Sequence, residues 1–328
     1  MDRELPVIDL TVAIRAYNSA AYLPEILKRL KQQQAIEQLR WEIVVIDNNS
    51  TDDTPAIVEQ FQKDWPAAFP LRYCLEKKQG AVFARQRAIQ EAQGTLIGFL
   101  DDDNFPGDRW VAAAYQFGQA HPQVGAYGSR IVGKFETPPP PHFERIQSFL
   151  AIKERGDRPN QYRPEVLSLP AGAGLVVRKQ IWLDHVPQNQ KLQGPVSKSL
   201  VTKGEDFEAL LHIAQAGWEI WYNPDMLVEH WIPSWRLERQ YLISLIQSVG
   251  LNIYYLRSFK ASSWQKPIIA IKIIFGNARR SFYHIAKYRL KAFTDTVLAC
   301  EMRFFTSALI SPLWYFYKIF NFSYRHDL

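Results

Sequence analysis

The chain has 328 residues, of which 47% are hydrophobic and 13% aromatic, and its formal net charge is +6. This composition excludes a disordered chain, and the length accommodates one large α/β domain with an extension or two modest domains. The two cysteines, Cys74 and Cys300, have no metal-ligand spacing, so we expect reduced thiols in a cytosolic protein. The N-terminus predicts no signal peptide, since no basic stretch precedes a long apolar one.

Charge is unevenly distributed along the chain. Residues 236–328 contain 14 Lys and Arg against 4 Asp and Glu, whereas the first 235 residues contain 25 basic and 29 acidic side chains. A mildly acidic first part is therefore followed by a strongly basic tail. Such an asymmetry bears on the charge of the binding partners and does not specify the fold.

The first hundred residues alternate short apolar runs with segments of helical spacing. The predicted strands are residues 9–14, 42–46, 71–75 and 96–100, and the predicted helices are 20–34, 54–65 and 81–92. This alternation predicts a mainly parallel sheet with helices on both faces. Ligands bind such sheets beyond the carboxyl ends of the strands, so the polar loops after Ile14, Ile46 and Leu100 should meet at one edge.

The middle of the chain has a different character. The prolines at 138–141 and the charged segment 154–164 predict an excursion on the surface. Order returns with a glycine-bearing turn into a strand at 169–177 and a helix at 207–215 that Gly217 ends. Beyond residue 235 the sequence is helical, aromatic and basic.

Three consecutive carboxylates, Asp101, Asp102 and Asp103, follow the fourth predicted strand. Crowded carboxylates raise one another's proton affinity, and a bound divalent cation removes that cost. Hard oxygen ligands on a short turn suit Mg²⁺ or Mn²⁺ shared with substrate phosphates. The simpler alternative is a solvated acidic turn.

Four blocks of the sequence resemble the family 2, GT-A-fold glycosyltransferases of the bacterial and cyanobacterial exopolysaccharide type. The blocks are residues 11–18, 42–54, 80–110 and 204–208, in the order and at the spacing of that family. The resemblance covers about residues 10–235 and implies a GT-A catalytic domain at 1–235, with a helical, basic extension at 236–328.

The resemblance implies a nucleotide-sugar site built from the strand-end loops. Ala16, Tyr17, Asn18, Asp47, Asn48, Arg85, Asp101 and Asp102 are expected to contact the donor, with Tyr17 and Asn18 shaping the loop and stacking on the base. The family more often has two acids where this chain has Asp47-Asn48. Because an amide both donates and accepts, uridine and thymidine donors both stay open. Arg85 either pairs with the phosphates or is a charge on a helix surface.

The metal is expected at the acidic triplet. Asp101 and Asp103 are the predicted DxD carboxylates of the metal site. Asp103 is the expected direct ligand of Mn²⁺ or Mg²⁺, with Asp101 and Asp102 reaching the ribose or metal waters. His230 is a further ligand or a structural histidine. Gly172 and Gly174 are expected on the acceptor side, where a sugar can approach the backbone closely.

Asp206 is the candidate general base of an inverting transfer, and Glu205 supports it or contacts the acceptor. The alternative for Asp206 is a helix N-cap. The preceding Gly204 lets the backbone turn so that the two acids face the cleft.

The tail contains no run of roughly 18 uninterrupted apolar residues, so a membrane-spanning helix is not predicted. Aromatic-rich helices flanked by Lys and Arg suit the anionic headgroup layer at the inner face of a membrane. The alternative is a helical subdomain packed on the catalytic domain, with its basic side chains reaching solvent. Nucleic acid is not an expected partner, because no recognised module accompanies the charge.

The sequence thus predicts an inverting, metal-dependent glycosyltransferase of cell-surface polysaccharide biosynthesis, cytoplasmic and peripheral to the inner membrane. We expect a UDP-sugar donor rather than a dTDP- or GDP-sugar, and a glycan or polyprenyl-diphosphate-linked acceptor. The alternatives are a nucleotidyltransferase of related fold and an inactive GT-A scaffold or sugar-binding protein. A nucleotidyltransferase would have a glycine-rich phosphate loop after the first strand, and residues 15–18 do not form one.

Overall fold

The computed structural model describes residues 8–192 and 204–325, with side chains up to residue 317. The strands are β1 Leu10–Ala16, β2 Trp41–Asp47, β3 Leu71–Leu75, β4 Leu96–Asp101, β5 Asn104–Pro106, β6 Val124–Phe135, β7 Asn160–Gln161, β8 Val176–Arg178 and β9 Glu219–Ile232. The helices are α1 Leu23–Lys31, α2 Thr54–Lys63, α3 Ala81–Glu91, α4 Trp110–Ala120, α5 Lys179–His185, α6 Glu205–Gln215, α7 Arg239–Leu251, α8 Ile253–Arg257, α9 Gln265–Tyr288, α10 Lys291–Thr294 and α11 Thr296–Arg325. Short 3-10 helices lie at Phe143–Arg145, Gln147–Leu150, Pro164–Val166 and Ser234–Leu237.

All described strands form one sheet in the order β3-β2-β1-β4-β8-β6-β9-β5, and β7 pairs with β9. The pairs among β1, β2, β3 and β4 are parallel, as is the long pair of β6 with β9. The pairs that involve β5, β7 and β8 are antiparallel. The predicted, mainly parallel α/β architecture is confirmed.

The elements predicted in the first hundred residues are all present, with shifted ends. Strand β1 continues to Ala16, because it stays in register with β2 as far as Asp47. Helix α1 starts at Leu23, later than predicted, because the chain first turns at Ser19, whose carbonyl accepts from the amides of Tyr22 and Leu23. The surface excursion contributes the short strand β7.

Two apolar cores cover the two faces of the sheet. Successive strand residues point to opposite faces, so Val12 and Ile14 of β1 join one core while Ala13 joins the other. Helices α1, α2 and α4 pack on the first face, and α3, α5 and α6 pack on the second. The sheet is thereby shielded on both sides, and its functional groups are left to the strand ends.

The C-terminal helices pack on the α/β part of the chain through a third core. Leu242 and Ile246 of α7 and Cys300 of α11 meet Phe143 and Leu150 from the segment after β6. The packed arrangement that the sequence left open is therefore present for α7 and α11.

Helix α8 ties the extension to the second core. The Tyr255 hydroxyl donates to Glu208 Oε1 of α6 at 2.8 Å, and Glu208 also accepts from the amides of Lys191 and Leu192. None of the helices within residues 8–192 and 204–325 has the length and hydropathy that a bilayer crossing requires.

Candidate active site

A cavity of about 820 Å³ opens at the carboxyl edge of β1, β2 and β4. Eleven of the predicted site residues line it: Ala16, Tyr17, Asn18, Asn48, Asp101, Asp102, Asp103, Gly172, Glu205, Asp206 and His230. Asp47, Arg85 and Gly174 lie behind this lining. The opposite wall is apolar and comes partly from the C-terminal helices, with Val249, Ile253 and Phe304 among its residues.

Asp101 is held by a cross-strand neighbour. Arg15 of β1 and Asp101 of β4 are register partners in the parallel pair, and their side chains form an ion pair. Sequence reasoning assigned Arg15 to a loop and gave it no role. The continuation of β1 beyond Ile14 is the signal that would have paired it with Asp101.

Asp102 turns toward the loop after β1. Its carboxylate accepts from the Tyr17 amide at 3.2 Å and from the Ser19 hydroxyl. Burial, with repulsion from Asp103, raises the pKa of Asp102 to about 7. Asp102 therefore shapes the loop that carries Tyr17, whose side chain is 43% exposed toward the cavity.

Asp103 meets His230 and Arg236 because β5 pairs with β9. That pairing places Asn104 opposite His230, and the Trp231 amide donates to the Asp103 carbonyl at 2.8 Å. Asp103 Oδ2 then lies 3.2 Å from His230 Nε2 and 2.7 Å from Arg236 Nη1. Burial alone would raise the pKa of Asp103, but His230 and Arg236 outweigh it and hold that pKa well below its usual range.

Arg236 was missed by the sequence analysis, which placed it at the start of the extension. It lies in the 3-10 helix that directly follows β9, and its Nη1 is also 3.2 Å from His230 Nε2. One guanidinium nitrogen therefore touches two of the predicted metal-site residues, Asp103 and His230. Its position six residues after His230 is the only signal in the sequence.

Asp103 and His230 can supply part of the coordination shell of a divalent cation. Asp103 Oδ2 and His230 Nε2 have the spacing of adjacent ligands of one ion, about 3 Å for bonds of about 2.1 Å. Among the described residues, no three His, Cys, Asp or Glu side chains form a ready-made cluster. The protein thus offers two ligands, and water and substrate phosphates would complete the shell, as Mg²⁺ and its relatives prefer.

The loops after β1 and β2 are fastened to each other. The Asn18 amide donates to Ser50 Oγ at 2.9 Å, and Asn18 Oδ1 accepts from the Thr51 amide at 2.8 Å. Asp47 is buried and accepts from the Ser50 amide at 2.9 Å and from the Tyr73 hydroxyl at 2.6 Å. These contacts explain how Asp47 and Asn18 fix the floor of the cavity.

Asn48 connects this floor to the loop before α3. Its Nδ2 donates to the carbonyls of Glu76 and Lys78, and its Oδ1 accepts from the Gly80 amide at 2.8 Å. Both amide hydrogens are therefore engaged. Only the second lone pair of Oδ1 stays available to a ligand.

Asp206 lies in the first turn of α6, opposite α3. Gly204 precedes the helix with a φ of +120°, a conformation that favours glycine and turns the chain toward the cavity. The Asp206 carboxylate forms an ion pair with Arg85 of α3. Arg85 is 1% exposed and is not a surface charge; burial, with repulsion from Arg15, lowers its pKa to about 9.

Gly172 and Gly174, the two glycines predicted on the acceptor side, have different surroundings. A Cβ at Gly172 would overlap the carboxylate of Asp206, so this glycine lets the acid approach the backbone. Gly174 has a φ of +63°, and its carbonyl accepts from the Ser129 hydroxyl at 2.6 Å, behind the cavity wall.

The fold and the site together are those of a GT-A-fold glycosyltransferase. Residues 11–181, just over half of the chain, match the family model described as Glycosyl transferase family 2. The chain belongs to this family, and the resemblance drawn from the four sequence blocks is confirmed.

Curated relatives are similar over about a third of this chain. TuaG of Bacillus subtilis, a putative teichuronic acid biosynthesis glycosyltransferase, is 32% identical over 101 residues, which is 31% of this chain and 36% of TuaG. The GalNAc(5)-diNAcBac-PP-undecaprenol beta-1,3-glucosyltransferase of Campylobacter jejuni is 34% identical over 97 residues, 29% of each chain. These matches span only about a third of the relatives' length.

Solved structures share the fold across most of the chain. The mannosyltransferase PcManGT of Pyrobaculum calidifontis, solved with GDP-Man and Mn²⁺, superposes with a TM-score of 0.60 at 19% identity, over 93% of this chain and 87% of PcManGT. GalNAc-T7, solved with UDP, GalNAc and Mn²⁺, has a TM-score of 0.52 at 17% identity, over 75% of this chain and 48% of its own. At such identities the likeness concerns the fold alone.

Proposed function

We propose that this family 2 glycosyltransferase is inverting and divalent-metal-dependent, and transfers a sugar from a nucleoside-diphosphate sugar in cell-surface polysaccharide biosynthesis. The observation that carries the proposal is the convergence of Asp103, His230 and Asp206 on one cavity. An acid–histidine pair suits the diphosphate side, and a separate carboxylate is available for the acceptor.

The chain's own residues divide the reaction between them. Asp103 and His230 would hold the cation, which when bound supplies charge neutralisation to the leaving diphosphate. Asp206 takes the proton from the acceptor hydroxyl as its oxygen attacks the anomeric carbon. The bond from that carbon to the phosphate oxygen breaks on the opposite face, and the configuration inverts.

Arg85 and Arg15 orient the two acids. The ion pair with Arg85 favours the ionised form of Asp206, which is the form that accepts a proton. The ion pair with Arg15 fixes the carboxylate of Asp101, which we assign to the ribose. Glu205, which is buried beside Asp206 in the same cavity, supports the acceptor side.

For the donor we propose a UDP-sugar, in preference to dTDP- or GDP-sugars. Tyr17 offers an exposed ring for stacking on the base. The remaining lone pair of Asn48 Oδ1 can accept from the N3–H of uracil, an edge that thymine shares. PcManGT was solved with GDP-Man, and direct binding measurements will therefore decide which nucleotide base this chain accepts.

For the acceptor we propose a glycan carried on a polyprenyl diphosphate. The apolar side chains that Val249, Ile253 and Phe304 contribute to the same cavity favour an acceptor with a lipid portion. The name of the Campylobacter relative contains an undecaprenol-linked glycan.

Residues 1–235 would form the catalytic domain and 236–328 an extension, in a cytoplasmic protein peripheral to the inner membrane.

Calorimetric binding of UDP, dTDP and GDP, each with and without Mn²⁺, tests the proposal. We expect Mn²⁺-dependent binding of UDP, and loss of the Mn²⁺ dependence in Asp103→Ala. Mn²⁺-dependent binding of another nucleotide would change the donor but keep the mechanism. Failure of all three would favour an inactive scaffold. Release of pyrophosphate from a nucleoside triphosphate and a sugar 1-phosphate, in a separate assay, would favour a nucleotidyltransferase.

A further inference from the structure

Helix α9 exposes a stripe of large apolar side chains to solvent. Trp264 at its N-cap is followed at helical spacing by Ile268, Ile271, Phe275 and Phe282, with exposed fractions of 69%, 43%, 55%, 72% and 77%. Intervals of four, three, four and seven residues place all five on one side of the helix. We call these five residues the outer stripe.

The opposite side of α9 fastens it to the protein. Its buried residues are Ile273, Asn277 and His284, and His284 Nε2 lies 3.0 Å from the Leu298 carbonyl of α11. Two residues correspond to about 200° around a helix, so Phe275 points away from Ile273. The outer stripe is therefore the face of α9 that its packing against α11 leaves uncovered.

The charged residues of α9 have one sign, and two of them, Lys272 and Arg279, lie beside the outer stripe, three residues before and four residues after Phe275. Helix α9 contains five exposed basic residues and no Asp or Glu; these are Lys266, Lys272, Arg279, Arg280 and Lys287. Leu290 and Phe293, 80% and 50% exposed, continue the apolar surface beyond the helix and alternate with Arg289 and Lys291. A partner must accept apolar side chains and cations at the same depth.

We propose that the outer stripe of α9 lies in the headgroup layer of an anionic phospholipid bilayer. A helix of 24 residues is about 36 Å long and can lie in the plane of the interface. Aromatic side chains suit the boundary between headgroups and acyl chains, and neighbouring Lys and Arg pair with lipid phosphates. A soluble monomer rarely exposes an uninterrupted apolar stripe of this length.

This inference deepens the proposed function and rests on it in one respect: a lipid-linked acceptor is the reason for a membrane location. Helix α11 connects the two, because it packs against α9 and also contributes Phe304 to the cavity wall. The active cavity and the lipid-binding face are thus attached to the same helix.

Co-sedimentation of the full chain with vesicles tests the surface. The vesicles are phosphatidylcholine alone or phosphatidylcholine with phosphatidylglycerol. We expect binding to the second kind only, weakened by salt, and a loss of about tenfold or more in the double variant Phe275→Ser/Phe282→Ser. Leu183→Ser, which changes an exposed leucine of α5, is the matched control and should bind as the unmodified chain does.

Charge-reversal variants test the electrostatic contribution to vesicle binding. The double variant Lys272→Glu/Arg279→Glu should abolish binding to phosphatidylglycerol vesicles. Lys63→Glu, at an exposed position of α2, should leave that binding intact. Unchanged vesicle binding in both double variants would overturn the proposal. A dimer in sedimentation velocity that Phe275→Ser/Phe282→Ser converts to monomer would assign the stripe to a second copy of the chain and also overturn it.

Calorimetry with nucleotide on the same variants keeps the two proposals distinct. Retained Mn²⁺-dependent nucleotide binding with lost vesicle binding supports the surface and shows that the variants fold. Vesicle binding without nucleotide binding in the unmodified chain would contradict the proposed function and leave the lipid surface standing.

Discussion

Arg85 and Asp206 form an ion pair between helices α3 and α6, at the back of the cavity. The arginine is almost completely buried, so its charge is directed at the carboxylate rather than at solvent. Gly172 approaches the same carboxylate from another side. Asp206 is therefore fixed by its surroundings, which is what a group with a defined role in proton transfer requires.

Asp206→Asn should keep donor binding and lose transfer. The amide keeps the shape of the side chain but cannot accept the proton, so we expect turnover to fall by about 10²–10⁴-fold. Transfer rates and nucleotide affinity measured side by side check this. Asp184→Asn, at an exposed position of α5, is the control. Near-normal turnover of the Asp206→Asn variant would remove Asp206 as the base.

Arg85→Gln should shift the pH dependence of transfer. Without the buried cation, ionised Asp206 loses its stabilising partner, so the acidic limb of the kcat/KM profile should move to higher pH. Arg85→Lys retains the charge and should restore part of the original profile. A lower rate with an unmoved limb would mean that Arg85 only supports packing.

Arg236→Gln should strengthen binding of Mn²⁺ alone. Arg236 Nη1 contacts both Asp103 Oδ2 and His230 Nε2, so its charge opposes a second cation between them. We expect about tenfold tighter binding in the absence of nucleotide, which corresponds to about 1.4 kcal/mol of like-charge repulsion removed. Calorimetric Mn²⁺ titration measures it, with the exposed Arg109→Gln as control. Weaker Mn²⁺ binding would instead make Arg236 an organiser of the ligands.

Gly172→Ala should lower turnover more than nucleotide affinity. The added methyl group overlaps the Asp206 carboxylate and displaces it, while the nucleotide loops lie elsewhere in the cavity. Gly276→Ala is a matched control, because a Cβ at this position in α9 meets nothing within 4 Å. Equal turnover in the two variants would show that the carboxylate moves aside without consequence.

The sequence by itself determined the architecture and the position of the acidic triplet. Alternating apolar runs and helical spacings are local patterns, and they predict strands, helices and the common edge where strand-end loops meet. Asp101, Asp102 and Asp103 could be placed at that edge because they follow the apolar run of β4 directly.

Only the tertiary structure decided which charges meet. Asp103 and Arg236 are separated by 133 positions and come together because the pairing of β5 with β9 sets their distance. Likewise, the sequence left Arg85 as either a surface charge or a phosphate ligand, and packing of α3 against α6 buried it beside Asp206. The physical reason is that a local pattern specifies which face of an element is buried, whereas strand register and helix packing specify which side chains face each other.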